Sequence, residues 1–239
     1  SLLVRFLAFL LTLALVAGAV AAVVYRDKLN FDAIKRYFTY RSLERGESGQ
    51  AESFTYDGGT DSCFATVDGD LLVCSTSGVR LYSGSGQLYV DKTLVLEHPA
   101  VDAAGKVFLA YDTGGTHLFV FSDREEVFSL TLEEDQAILA ASVNEAGWLT
   151  VVTQQSGSKG VVTVYDASYN EVMGVSLSSR FVMDAVLSPN SKAVAILTMG
   201  AEENAFDSRV DIYQLDHSEE HADADYACSL GSTTVLDLR

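Results

Sequence analysis

Basic side chains are scarce in this chain. Its 239 residues include 16 Lys and Arg against 33 Asp and Glu, a net charge of −17 at pH 7. The shortage is uneven. Residues 1–48 hold seven bases and four acids, whereas residues 49–239 hold nine bases and 29 acids, a net of −20. So acidic a body repels phosphate backbones and argues against nucleic acid as a partner. Proline is nearly absent at two residues, and 48% of the chain is hydrophobic, which excludes a disordered Pro-rich polymer. Cysteine is rare: Cys63, Cys74 and Cys228 form an odd set without metal-ligand spacing. Cys74 lies in an apolar strand and is expected to pack as a small hydrophobe. A Cys63–Cys74 disulfide is the alternative, and the count assigns no redox compartment. No Gly-x-Ser-x-Gly elbow, phosphate-cradling glycine loop or paired-Cys motif occurs.

What is present is a repeat. Val161-Val-Thr-Val-Tyr-Asp166 alternates apolar and polar residues and ends in an aromatic and a turn residue, the pattern of a short half-buried strand. The pattern recurs at Val79–Ser83, Leu118–Ser122 and Val210–Gln214. Its aromatic anchors Tyr82, Phe121, Tyr165 and Tyr213 are separated by 39, 44 and 48 residues. A period of roughly 40–50 residues built from short strands is the signature of β-propeller blades. The expected fold class is therefore all-β: a propeller of four-stranded blades, preceded by one N-terminal transmembrane helix and a short amphipathic helix.

The expected blades run in order from about Phe54. In the first, Asp68–Asp70 is a turn, Leu71–Cys74 and Val79–Tyr82 are strands, and Ser83–Gly86 leads to Leu88–Val90. In the second, Val101 enters a turn at Asp102–Gly105, and Val107–Tyr111, Leu118–Phe121 and Val127–Leu130 are strands. The third comprises Leu139–Val143, Trp148–Thr153, Val161–Tyr165 and Val172–Val175. The fourth comprises Phe181–Leu187 and Ala193–Thr198, then a long loop Gly200–Ser208, then Val210–Leu215. Val235–Leu238 resembles Val182–Ala185 and is expected to open a fifth blade. An arc of four to five blades would expose sheet edges, so a C-terminal continuation or a covering partner is expected. A small closed propeller is the alternative.

The domain layout follows: 1–28 a transmembrane signal anchor, 29–50 a juxtamembrane amphipathic helix and linker, 51–239 the propeller. Phe6–Val24 is nineteen residues without a charge, between Arg5 and Arg26. At about 1.5 Å per residue it nearly spans a hydrocarbon layer. Ala17-Gly18-Ala19 offers a signal-peptidase site, but the apolar run continues to Val24, so an uncleaved anchor is preferred. Ser at position 1 suggests a processed or truncated product. Asn30–Ser42 places Phe31, Ile34 and Phe38 on one face, with Lys35, Arg36 and Arg41 off it. Such a helix either lies in the lipid headgroup layer or packs beneath the propeller. One basic residue before the span and six after it put the C-terminal side in the cytoplasm. Interleaved acids and the ease with which long domains translocate weaken that vote.

One cluster could bind a cation: Asp216 to Asp225, with His217 and His221 four apart among carboxylates. It lacks calcium-loop spacing, so a solvated acidic hairpin is expected instead. His98 and His117 are expected to be structural or exposed, and Ser83–Gly86 and Ser156–Gly160 to be plain hairpins. No catalytic, cofactor or metal residue is assigned.

Ser188-Pro189-Asn190-Ser191-Lys192-Ala193-Val194-Ala195-Ile196 resembles the turn and strand of WD40-like and YVTN-type propellers, and Val164-Tyr165-Asp166 resembles their strand end. The whole layout resembles a family of membrane-anchored Gram-positive bacterial proteins of unassigned function. That resemblance implies a propeller outside the cytoplasmic membrane. With Trp148 as the only Trp, the docking repeat of quinoprotein dehydrogenases is missing. The expected function is a non-catalytic, membrane-tethered binding or scaffold module. Its partners would be membrane lipid and a protein or envelope component. The alternative is an extracytoplasmic hydrolase or lyase with its site in the central channel.

Overall fold

Among the described residues, sixteen strands form four separate four-stranded sheets, each an antiparallel meander in chain order. The structure is a computed structural model that describes residues 61–202, 205–215, 223–235, 237 and 238, together with Tyr56. Sheet 1 holds β1 (Cys63–Val67), β2 (Asp70–Ser75), β3 (Gly78–Tyr82) and β4 (Leu88–Thr93). Sheet 2 holds β5 (Pro99–Ala104), β6 (Val107–Asp112), β7 (His117–Ser122) and β8 (Glu125–Thr131). Sheet 3 holds β9 (Ile138–Val143), β10 (Leu149–Thr153), β11 (Gly160–Tyr165) and β12 (Glu171–Leu177). Sheet 4 holds β13 (Phe181–Leu187), β14 (Ala193–Glu202), β15 (Ala205–Gln214) and β16 (Tyr226–Gly231). The anchor and collar expected over residues 1–50 lie outside the described residues. Among the described residues no helix is long and apolar enough to cross a membrane.

The second strand of a middle sheet is covered on both faces, so its sequence is continuously apolar instead of alternating. β6 shows why. Phe108 and Ala110 point into a core shared with sheet 1, while Val107, Leu109 and Tyr111 point into a core shared with sheet 3. A third core, built on Val152, Val162, Val194 and Ile196, joins sheets 3 and 4. Each fully buried Val, Leu, Ile or Phe in these layers contributes about 1.5–3 kcal/mol.

The four aromatic anchors occupy one equivalent rung. Each sits in the third strand of its sheet: Tyr82 opposite Leu71, Phe121 opposite Phe108, Tyr165 opposite Leu149, Tyr213 opposite Val194. In sheets 1, 2 and 3 the ladder to the fourth strand slips by one residue beside the anchor. Such a bulge bends the strand and re-aims its side chain. Tyr82, Phe121 and Tyr213 are buried, and Tyr165 is half-buried.

Glycine opens β11 for a steric reason. A Cβ on Gly160 (φ +157°) would stand 2.7 Å from the Val182 Cβ, so its absence lets the third strand of sheet 3 approach the first strand of sheet 4.

Several expected boundaries shift. Asp102–Ala104 belongs to β5, and the turn is only Gly105-Lys106, because those residues pair with Val107–Leu109. Pro99 begins β5, a position where no ladder donor is missed. The expected loop Gly200–Ser208 is largely ladder: β14 and β15 pair from Ala193↔Gln214 out to Glu202↔Ala205. Of the expected opening strand of a fifth blade, Val235, Asp237 and Leu238 are described, and none of the three is in a strand.

Candidate functional site

The first strands β1, β5, β9 and β13 neighbour one another in that order. In a propeller such strands line the axial channel. On β5, β9 and β13 the polar side chains Asp102, Ser142 and Asp184 are half-buried or buried, so each needs a partner.

They find it in the next sheet. The Asp68 N–H donates to the Gly105 carbonyl at 3.0 Å. The Val143 N–H donates to Asp102 Oδ2 at 2.9 Å. Ser142 Oγ and Thr150 Oγ1 reach the Ala185 carbonyl at 2.8 and 2.7 Å and lie 2.7 Å from each other. The two hydroxyls have one proton each, so two of those three contacts are hydrogen bonds at any moment and both donors are used. Asn144 caps its own turn, accepting from Ala146 and Trp148, and its Nδ2 donates to the Ser188 carbonyl and Ser191 Oγ. The Ser188 turn that carried the propeller resemblance is thus tied to the sheet before it.

Asp184, 8% exposed, closes the series. Its Oδ1 accepts from the Ala185 N–H at 2.8 Å and its Oδ2 from the Leu238 N–H at 2.9 Å. Leu238 stands to Asp184 much as Val143 stands to Asp102. Leu238 is thus tied to β13 without being in a strand. The later halves of β5, β9 and β13, together with Leu238, line a half-open cavity of about 300 Å³. Asp102 and Ser142 are its polar lining. That volume is at the small end of ligand pockets.

Burial pushes the Asp184 carboxyl above its ordinary value and Asp237 adds to the rise, while the two backbone N–H groups oppose it. Burial likewise pushes Tyr111 up to about 12. With its folded value raised, Asp184 binds more protons in the folded than in the unfolded chain across the window between the two. Its contribution to stability therefore falls as pH rises through that window. Asp184→Asn cannot titrate and loses one of two acceptors, a cost of about 1 kcal/mol. That cost should be larger below the window than at neutral pH, as urea midpoints of the two proteins at several pH values would show.

The residues singled out by sequence are placed as follows. His98 is exposed, and its backbone N–H donates to Asp112 Oδ1 at 2.6 Å. His117 is exposed, with Nδ1 3.2 Å from Thr131 Oγ1. Of the acidic cluster, residues 216–222 lie outside the described residues, and Asp225 Oδ2 accepts from the Gln214 N–H at 2.7 Å. Ser83 Oγ accepts from Ser85 and Gln87 N–H groups, a plain hairpin. Among the described residues no three His, Cys, Asp or Glu converge as a metal would require. Asp102, Ser142, Thr150 and Asp184 escaped the sequence reading. Their signal was a polar residue inside an apolar run, as in Phe181-Val-Met-Asp-Ala-Val-Leu187.

Residues 38–231 match the model described as Family of unknown function (DUF5711). The chain belongs to that family. No curated protein matches this DUF5711 chain. Solved propellers do. A eukaryotic initiation factor gives a TM-score of 0.50 at 15% identity over 77% of this chain and 48% of its own. The Dos1 propeller gives 0.50 at 12% identity, over 72% and 47%. Hsv2p of Kluyveromyces lactis gives 0.48 at 9% identity, over 69% and 52%. The DUF5711 chain thus spans about half the length of these structures. The first two likenesses establish a propeller-type fold, and at such identity they establish the fold alone.

Proposed function

We propose that this DUF5711 chain is a non-catalytic propeller, tethered to a membrane by its N-terminal segment, that presents its blade loops to a protein or envelope component. The observation that carries the non-catalytic reading is the commitment of the inner polar groups. Asp102, Ser142, Thr150, Asn144 and Asp184 all hold the backbone of a neighbouring segment. Groups so engaged leave no acid–base pair for a substrate. Lipid tethering rests on the uncharged stretch Phe6–Val24 and the aromatic-basic stretch after it. The layout's likeness to membrane-anchored Gram-positive proteins supports an extracytoplasmic placement. The acidic body supports a protein partner over nucleic acid.

One observation favours a second reading. Asp184, whose carboxyl burial and the neighbouring Asp237 push up, accepts from the N–H of Leu238 in the cavity lining, and a raised carboxyl next to a cavity is the kind of group a hydrolase or lyase uses as a proton donor. Deleting residues 1–25 should move the protein from the membrane pellet to the soluble fraction, and continued sedimentation would refute the anchor. Crosslinking followed by detergent purification of the full chain should recover a stable stoichiometric partner. A solitary protein with a hydrolytic activity that Asp184→Asn abolishes would move the assignment to the enzyme.

A further inference from the structure

The hairpin of β1 and β2 sets Cys63 directly opposite Cys74. Opposed residues of an antiparallel pair stand about 4.5 or 5.5 Å apart at Cα, according to pair type. Both distances fall inside the roughly 4.4–6.8 Å that a disulfide spans. Paired residues also share a face of the sheet. Cys74 is fully buried in the core between sheets 1 and 2, and the half-buried Cys63 packs against that same core. Cys63 is the first residue of β1, and Asp61 and Ser62 before it are in no strand, so small backbone rotations there leave the ladder intact. Both side chains are free thiols.

We propose that Cys63 and Cys74 form a dithiol site that a small aliphatic disulfide, such as glutathione disulfide, oxidises to a cross-strand disulfide. Cys63 is the thiol that solvent reaches, and the Cys74 S–H beside it holds it below the usual thiol value. That same contact, and then burial, push Cys74 up. Cys63 thiolate therefore attacks first. A bond forms between its sulfur and one sulfur of the small disulfide, whose S–S bond breaks, and the departing thiolate takes a proton from water. Cys74 then loses its proton to water and attacks the Cys63 sulfur, expelling the second small thiolate, which is protonated in turn. Two cysteine thiols are oxidised, one small disulfide is reduced to two thiols, and protons balance. The bridge ties the edge strand of sheet 1 to its neighbour and restricts the unfolded chain over a short loop.

The test uses the full chain carrying Cys228→Ser, so that no third thiol can exchange. The native protein is equilibrated with glutathione disulfide in excess over glutathione, then denatured and alkylated. No Lys or Arg lies between Arg45 and Arg80, so both cysteines share one tryptic peptide, and cleavage at Asp68 and Asp70 is needed to separate them. The expected result is two joined peptides lighter by two hydrogens, both thiols resistant to alkylation, and a thermal midpoint several degrees above that of the reduced protein. Full alkylation of both thiols, or a separate glutathione on each, would overturn the site. In Cys63→Ser, Cys74 should stay unmodified because only its partner delivers the oxidant. A Cys74–glutathione adduct formed there as fast as the native bridge would equally overturn it.

Discussion

Phe121→Ala should destabilise the protein by about 3–5 kcal/mol, the range for emptying a buried aromatic site. Phe121 is 1% exposed in β7 and stacks on Phe108 with centroids 4.7 Å apart and planes 5° from parallel. Both rings belong to the core that joins sheets 1 and 2. Such ring pairs contribute about 0.5–1.5 kcal/mol beyond the area they bury. Alanine would leave a void between two sheets whose hydrogen-bonded backbones cannot collapse to fill it. Against a total stability of about 5–15 kcal/mol for ordinary domains, that loss is large. Urea unfolding followed by circular dichroism measures it, and the fluorescence of Trp148, the only Trp, reports the sheet 3 side separately. Tyr165 fills the same rung but is half-buried, so Tyr165→Ala should cost less. A loss at Phe121 below about 1 kcal/mol would mean that the rung is not core.

Asp207→Ala is expected to cost about 2–4 kcal/mol, somewhat below the value for breaking a fully dry ion pair. Arg180 donates from Nη1 and Nη2 to the two Asp207 carboxylate oxygens at 3.1 and 3.0 Å. Its Nη2 also meets the Asp207 carbonyl at 2.9 Å, and its Nε meets Thr198 Oγ1 at 2.9 Å. The two side chains are only 15% and 13% exposed, so water can neither compete for the contacts nor rescue a stranded guanidinium. A bidentate fork of this kind is stronger than a neutral hydrogen bond. Gly200 makes room for it: a Cβ there would stand 2.5 Å from Arg180 Nη1. Replacing both charges, as Arg180→Met with Asp207→Leu, should cost less than Asp207→Ala alone, because no unpaired charge remains. Denaturant midpoints of the two singles and the double measure this. A single-variant loss under about 0.5 kcal/mol, sensitive to salt, would mark the pair as an ordinary surface contact.

Much of the fold was legible because a strand exposed on one side must alternate, and a turn must use residues that tolerate positive φ. Asp68-Gly69, with φ of 49° and 89°, marked the first hairpin from either direction. The extended β14–β15 hairpin was not legible. Gly200, Glu202 and Asp207 read as loop residues, yet they pair in a ladder, and Asp207 is held there by Arg180, 27 residues earlier. β16 was missed for a related reason: Tyr226 to Gly231 is mostly exposed and its pattern carries no buried face. The candidate site was least legible. Asp102 read as a turn residue and Asp184 as a single polar residue in an apolar run, and their partners lie 41 and 54 residues away.

The sequence by itself determined the period of the repeat, the rung of aromatic anchors and the acidic surface, because period, turn chemistry and charge are local properties. It also placed a lipid-length apolar run ahead of the repeat. Only the tertiary structure decided which polar residues lock one sheet to the next. Those pairings depend on register, and register is set by whole strands docking together, so no short stretch of chain contains it.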